Sequence, residues 1–134
     1  MRYYLSKILL NWKSNRYGLH IGLNVFDKGL HVMHLGSILT NGRVRAGRDC
    51  AIHINTALVA QGVSSDTPVL GNNIVIGVGA TILGGVTIAD GIAVGANALV
   101  NKSFTEPDIA IAGVPARKVS GNGKNNWNKE KRLK

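Results

Sequence analysis

Four histidines and one cysteine are the side chains of this 134-residue chain that could do chemistry near neutral pH: His20, His31, His34, His53 and Cys50. His34 is set apart by its phase. Apolar residues recur every sixth position at Ala46, Ile52 and Leu58, then without a miss at Leu70, Ile76, Ile82, Ile88, Val94 and Val100. Counting back by six, through a weak Thr40, reaches His34. An imidazole thus stands where the pattern asks for an aliphatic. Two readings follow: a structural histidine hydrogen-bonded at a turn, or a general base, since imidazole titrates close to physiological pH. His31 reads as exposed. His53 follows Ile52 and should point outward, with a place near a cofactor cleft as the lesser reading. Cys50 falls on an apolar phase and reads as a small packed hydrophobe. A lone cysteine allows no internal disulfide and fits a reducing, cytoplasmic compartment. The four histidines lack the close paired spacing of a three-ligand metal centre, so neither a metal nor a permanently bound cofactor is expected.

The elements that position these residues follow from the same period. A second apolar set lies four after each beat, at Ile74, Ala80, Val86, Ile92, Ala98 and Phe104, with Val44, Cys50 and Thr56 before them. This hexapeptide repeat predicts an all-β parallel β-helix: six residues make a short strand and a corner, and three such units make one triangular coil. Both apolar sets point inward and stack into one column. The unit from Ser64 to Val69 keeps the frame but breaks the pattern with Ser, Asp and Pro, and reads as a loop leaving the prism.

The ends differ from the middle. Tyr4, Leu5, Ile8, Leu9 and Trp12 recur at spacings of three and four, predicting an amphipathic helix over 1–17 that stops at Gly18 and caps the open end of the solenoid. The solenoid is expected over 18–120. A basic tail, 121–134, is expected to fray. The net charge of +9 sits largely in the two ends. It suits an anionic cofactor, an anionic polymer, an anionic membrane face or simple solvation. No aromatic-interleaved basic platform accompanies it, so no nucleic-acid partner is expected. Docking of the helix on a membrane surface through Lys7, Lys13 and Arg16 is a lesser alternative to capping.

Three stretches carry a resemblance. Val75-Ile76-Gly77-Val78-Gly79-Ala80-Thr81-Ile82-Leu83-Gly84-Gly85-Val86-Thr87-Ile88 is similar to the last coils of the serine acetyltransferase branch of hexapeptide acyltransferases. Ile111-Ala112-Gly113-Val114-Pro115-Ala116-Arg117 resembles the segment that closes the solenoid there and in sugar O-acetyltransferases. Met33-His34-Leu35-Gly36-Ser37-Ile38 lines up on the segment around the family's catalytic histidine. The resemblance covers 18–120 and implies a left-handed winding, which the period alone cannot show. It also implies a homotrimer with active sites in the clefts between prisms.

The resemblance further implies acetyl coenzyme A as cosubstrate and His34 as the general base of a direct transfer to a hydroxyl. The pantetheine arm would run past Gly79, Ala80, Ala96 and Asn97, and the 3′-phosphate would meet Arg117 and Lys118, with Lys102 next. The family's orienting carboxylate has no counterpart. Its position falls on His20, beside Leu19, leaving Asp27, a neighbouring subunit or a backbone carbonyl to hold the ring. The acceptor loop reads Asp66-Thr67-Pro68 where serine acetyltransferases carry Arg-His-Pro, and Met33 replaces an Asp. A carboxylate-bearing acceptor wants a bidentate Arg, and Asp66 would repel it. A sugar hydroxyl in polysaccharide biosynthesis is therefore the expected acceptor. Serine O-acetylation is the alternative within the class, and a non-catalytic scaffold the alternative outside it.

Overall fold

The computed structural model describes residues 1–127. The expected tail, 121–134, lies outside the described residues from 128 onward. Helix α1 spans Arg2–Tyr17. The strands follow in order: β1 Leu19–His20, β2 His31–Val32, β3 Ile38–Thr40, β4 Arg45–Ala46, β5 Ala51–Ile52, β6 Thr56–Val59 and β7 Val69–Leu70. Then come β8 Val75–Ile76, β9 Thr81–Leu83, β10 Thr87–Ile88, β11 Ala93–Val94, β12 Leu99–Val100, β13 Ala110–Ala112 and β14 Arg117–Ser120, with a last helical turn, α2, at Lys124–Trp127.

These short strands stack in parallel into three faces of a prism. The first face orders β1-β3-β6-β9-β12, the second β10-β7-β4, and the third β14-β13-β11-β8-β5-β2. Each beat residue pairs with its counterpart one coil away: Leu58 with Ile82 and Ile82 with Val100 on the first face, Ile52 with Ile76 and Ile76 with Val94 on the third. All six unbroken beat residues are buried, at 3% exposure or less. Ile74, Ala80, Ile92 and Ala98 of the companion set are buried beside them. Burying one such aliphatic stabilises by about 1.5–3 kcal/mol, so the column is the main source of stability. Thr40 and Thr56 are the buried polar members. Each satisfies its hydroxyl locally, Thr40 on the His20 carbonyl (3.3 Å) and Thr56 on the His53 carbonyl (3.0 Å).

The loop expected at 64–69 leaves the prism between β6 and β7. Leu58 and Ile82 are paired neighbours although twenty-four residues apart, one hexapeptide more than a coil. An insertion of six cannot be seen in the phase, only in the composition. The chain closes by folding back: β14 runs antiparallel to β13, pairing Ala112 with Arg117 and Ile111 with Lys118. Past it, Gly123 and Lys124 donate backbone hydrogen bonds to the Asp108 and Gly91 carbonyls, at 2.8 and 2.9 Å. The start of the expected frayed tail is thus tied to the solenoid.

Helix α1 ends at Gly18, whose φ of 68° is the left-handed conformation that glycine adopts freely. Its packing corrects the sequence expectation. Lys7, Leu10, Asn11 and Ser14 line a cavity of about 400 Å³ shared with His20 and Thr40 of the first coils. Leu5, Ile8, Leu9 and Trp12 remain more than half exposed, so the apolar stripe does not cap the solenoid. No described helix is long and apolar enough to cross a membrane.

Candidate active site

One edge of the prism gathers the chemistry. It is the edge where the third face hands over to the first, through the corners β2–β3, β5–β6, β8–β9 and β11–β12. Successive coils bring His34, then His53, then Gly77 to Gly79, then Gly95 to Asn97 to this edge. Parallel strands stack about 4.8 Å apart, so the four corners make a continuous ridge. Gly113 to Arg117 close it.

His34 is not in the inward column. Val32 holds that place, paired with Ile52 across twenty residues rather than eighteen, and packs against the core. The corner from Met33 to Ser37 is therefore two residues longer than its counterpart in the next coil, and it carries His34 outward to an exposed position. Outward placement is what a base needs if it is to meet a substrate.

His53 lies beside it. The two ring centroids are 6.1 Å apart with a tilt of 46°. The His53 backbone is fixed on both sides: its N–H donates to the Ile76 carbonyl at 3.0 Å, and its carbonyl accepts the Thr56 hydroxyl. Burial, and secondly the charge of His34, push the His53 imidazole below its ordinary pKa. The sequence puts His53 directly after the buried Ile52, and the fold stacks its corner next to the one that holds His34.

Beyond the histidines the corners open on glycine, with Val78, Ala96 and Asn97 exposed after them. Gly77 and Gly95 occupy the positions equivalent to His53 in the next coils. A Cβ on Gly77 would come within 2.8 Å of the Ala96 nitrogen. Gly79 has a φ of +73°, and the Asn97 amide oxygen fills the space a side chain would take. Ala96 and Asn97 are exposed on this ridge. Ala80 is not: it is fully buried, its N–H donates to Gly77 and its carbonyl accepts from Ala57. The repeat puts small residues both at the corner and in the core, and Ala80 belongs to the core.

The expected cations separate. Arg117 is exposed next to the ridge, paired in register with Ala112. Lys118 turns away to an ion pair with Glu106 at 2.5 Å. Lys102 sits on another edge, between the first and second faces, with its ammonium 5.3 Å from the Phe104 ring centroid.

None of the candidate orienting groups is brought to His34. His20 pairs with Leu39 on the flat first face and lines the helix-side cavity. Asp27 lies at the edge between second and third faces, where its carboxylate accepts the Lys28 N–H at 2.7 Å. Asp66 is in the protruding loop, accepting the Ser64 hydroxyl at 2.8 Å and packing over Gly85. Cys50 is buried as expected of a packed hydrophobe, its sulfur 3.5 Å from the Gly47 carbonyl oxygen, and burial raises its pKa.

No protein-family model matches the chain. Among curated proteins it is 30% identical over 139 aligned positions to a serine acetyltransferase of Buchnera aphidicola, which covers 98% of this chain and 52% of that one. Among solved structures it superposes on the serine acetyltransferase of Neisseria gonorrhoeae with a TM-score of 0.74 at 27% identity, covering 89% of this chain and 48% of that chain. It also superposes on a Brucella abortus serine acetyltransferase in complex with coenzyme A, with a TM-score of 0.66 at 26% identity and coverages of 70% and 38%. The chain spans about half the length of the curated relatives it matches. The shared fold is the left-handed parallel β-helix.

Proposed function

Taking the chain as a serine acetyltransferase-like member of the hexapeptide-repeat acyltransferases, we propose that it moves an acetyl group from acetyl coenzyme A to a hydroxyl, with His34 as general base. The observation that carries this is the ridge: an exposed histidine at one end, a glycine-lined path along the next coils, and Arg117 at the closing turn. The acceptor oxygen bonds to the thioester carbonyl carbon while its proton passes to His34. On collapse the carbon–sulfur bond breaks, and His34 returns the proton to the departing thiolate. Both substrates bind together, so no serine or cysteine nucleophile is needed, and Cys50 stays outside the reaction. With His20, Asp27 and Asp66 all placed elsewhere, a backbone carbonyl or a neighbouring subunit holds the imidazole. Three prisms side by side would form the clefts in which the thioester carried by one meets His34 of the next.

We favour a sugar hydroxyl as acceptor, because the loop that carries Arg-His-Pro in serine acetyltransferases reads Asp66-Thr67-Pro68 here and offers no cation to an amino-acid carboxylate. The relatives' own name, serine acetyltransferase, favours serine as the second reading. A thiol-release assay with acetyl coenzyme A against serine, nucleotide sugars and oligosaccharides separates them. Release with saccharides supports the first reading. Release with serine alone replaces it with the second. Release with none removes the acetyl-transfer reading.

A further inference from the structure

We propose that His53 is a second catalytic residue, whose imidazole N–H hydrogen-bonds the thioester carbonyl oxygen as that oxygen becomes an oxyanion. This rests on the acetyl-transfer reading above and assigns the group that completes it.

Position is the first argument. In the stacking order of the ridge His53 stands between His34 and the glycine-lined corners of the later coils. A thioester that the neighbouring prism brings into the cleft at His34 meets His53 in the coil beside it. In register, the four successive corners open with Met33, His53, Gly77 and Gly95, and His34 follows Met33 in the first of them. Imidazoles stand in the first two corners, and glycines open the two that follow.

Spacing is the second. A base must reach the hydroxyl oxygen at about 2.6–3.2 Å, and a donor must reach the oxyanion at about 2.7–3.1 Å. Two rings with centroids 6.1 Å apart and tilted by 46° can address two oxygens on one tetrahedral carbon. A pair in direct contact would leave no room for the substrate.

Rigidity is the third. An oxyanion donor contributes most when it is fixed before the charge develops. His53 sits on a corner locked by its own N–H on Ile76 and by the buried Thr56 hydroxyl on its carbonyl. Burial and the nearby His34 disfavour the charged form of His53. It therefore stays a neutral donor while His34 holds the proton taken from the acceptor. The bookkeeping balances: the oxygen–hydrogen and carbon–sulfur bonds break, the oxygen–carbon and sulfur–hydrogen bonds form, and His53 ends as it began.

The test uses the full chain with acetyl coenzyme A and whichever acceptor of the panel releases thiol. His53→Ala is expected to lower kcat by about 10²–10³-fold, the usual cost of losing one oxyanion donor, with the KM for acetyl coenzyme A changed by less than about threefold. His53→Gln, which keeps an N–H donor, is expected to recover at least tenfold of that loss. Where the alanine variant loses its fold, His53→Phe against His53→Gln gives the same comparison, since Phe fills the site without a donor. An active parent with kcat within about threefold in the donor-free variant overturns the proposal, as does a Gln variant no better than the donor-free one. A parent silent with every acceptor overturns the acetyl-transfer reading as well, so the two failures are told apart.

Discussion

Val32 is the backbone partner of Ile52, twenty residues further on, where Ile76 and Val94 of the same face are eighteen apart. The two extra residues lie in the corner that holds His34. They detach the histidine from the inward column and place it on the surface of the prism. The core stays apolar and the histidine becomes available to a ligand, without an imidazole having to be desolvated inside the solenoid.

The register predicts a clean split between stability and chemistry. Val32→Ala removes packing against the core and should cost about 1–3 kcal/mol. His34→Ala, at an exposed corner, should leave stability within about 0.5 kcal/mol. Urea unfolding of both variants checks this. A His34→Ala protein as destabilised as Val32→Ala would return His34 to the core.

How far the chain could be read without its structure follows from what a period of six can show. The core from Ala46 to Val100 was legible because every coil there repeats the phase. The protruding loop was legible from Ser64, Asp66 and Pro68, since six extra residues leave the phase intact. The displacement of His34 was not, because extrapolating a beat across a corner assumes the corner's length. The burial of Ala80 is not legible, because small residues serve both corner and core. The Lys118–Glu106 pair depends on β14 folding back antiparallel to β13, which no repeat announces. The outward stripe of α1 was legible as a stripe, but not the side it faces.

The separation of the cations predicts unequal roles. Arg117→Ala should raise the KM for acetyl coenzyme A, leave saturated turnover largely alone and flatten its salt dependence. Lys118→Ala, which removes a cation already paired with Glu106, should change the KM by less than about twofold. Comparison with dephospho-coenzyme A as competitor shows whether Arg117 reads the 3′-phosphate. Equal discrimination by parent and Arg117→Ala protein would remove it from that site.

Burial raises the Cys50 thiol above its ordinary pKa, so little thiolate exists at pH 8 in the folded protein. A maleimide should label native protein slowly and urea-unfolded protein at once. Rapid native labelling would show that the β4–β5 corner opens.

His53 is held below the ordinary imidazole pKa, so the folded chain binds fewer protons there than the unfolded chain. Its contribution to stability is present above the unfolded value of about 6.5 and is lost as pH falls through the folded value. The parent should therefore lose more stability between pH 7.5 and 5 than His53→Gln does. Parallel urea midpoints across that range would remove burial of His53 as the cause.

The most direct measurement is the turnover of His34→Ala in the thiol-release assay, with the accepting hydroxyl compound saturating and binding of coenzyme A followed separately by calorimetry. The ridge, with His34 exposed at its first corner, predicts a loss of about 10²–10⁴-fold in turnover with coenzyme A affinity unchanged. Turnover near that of the parent would contradict the assignment of His34 as the base.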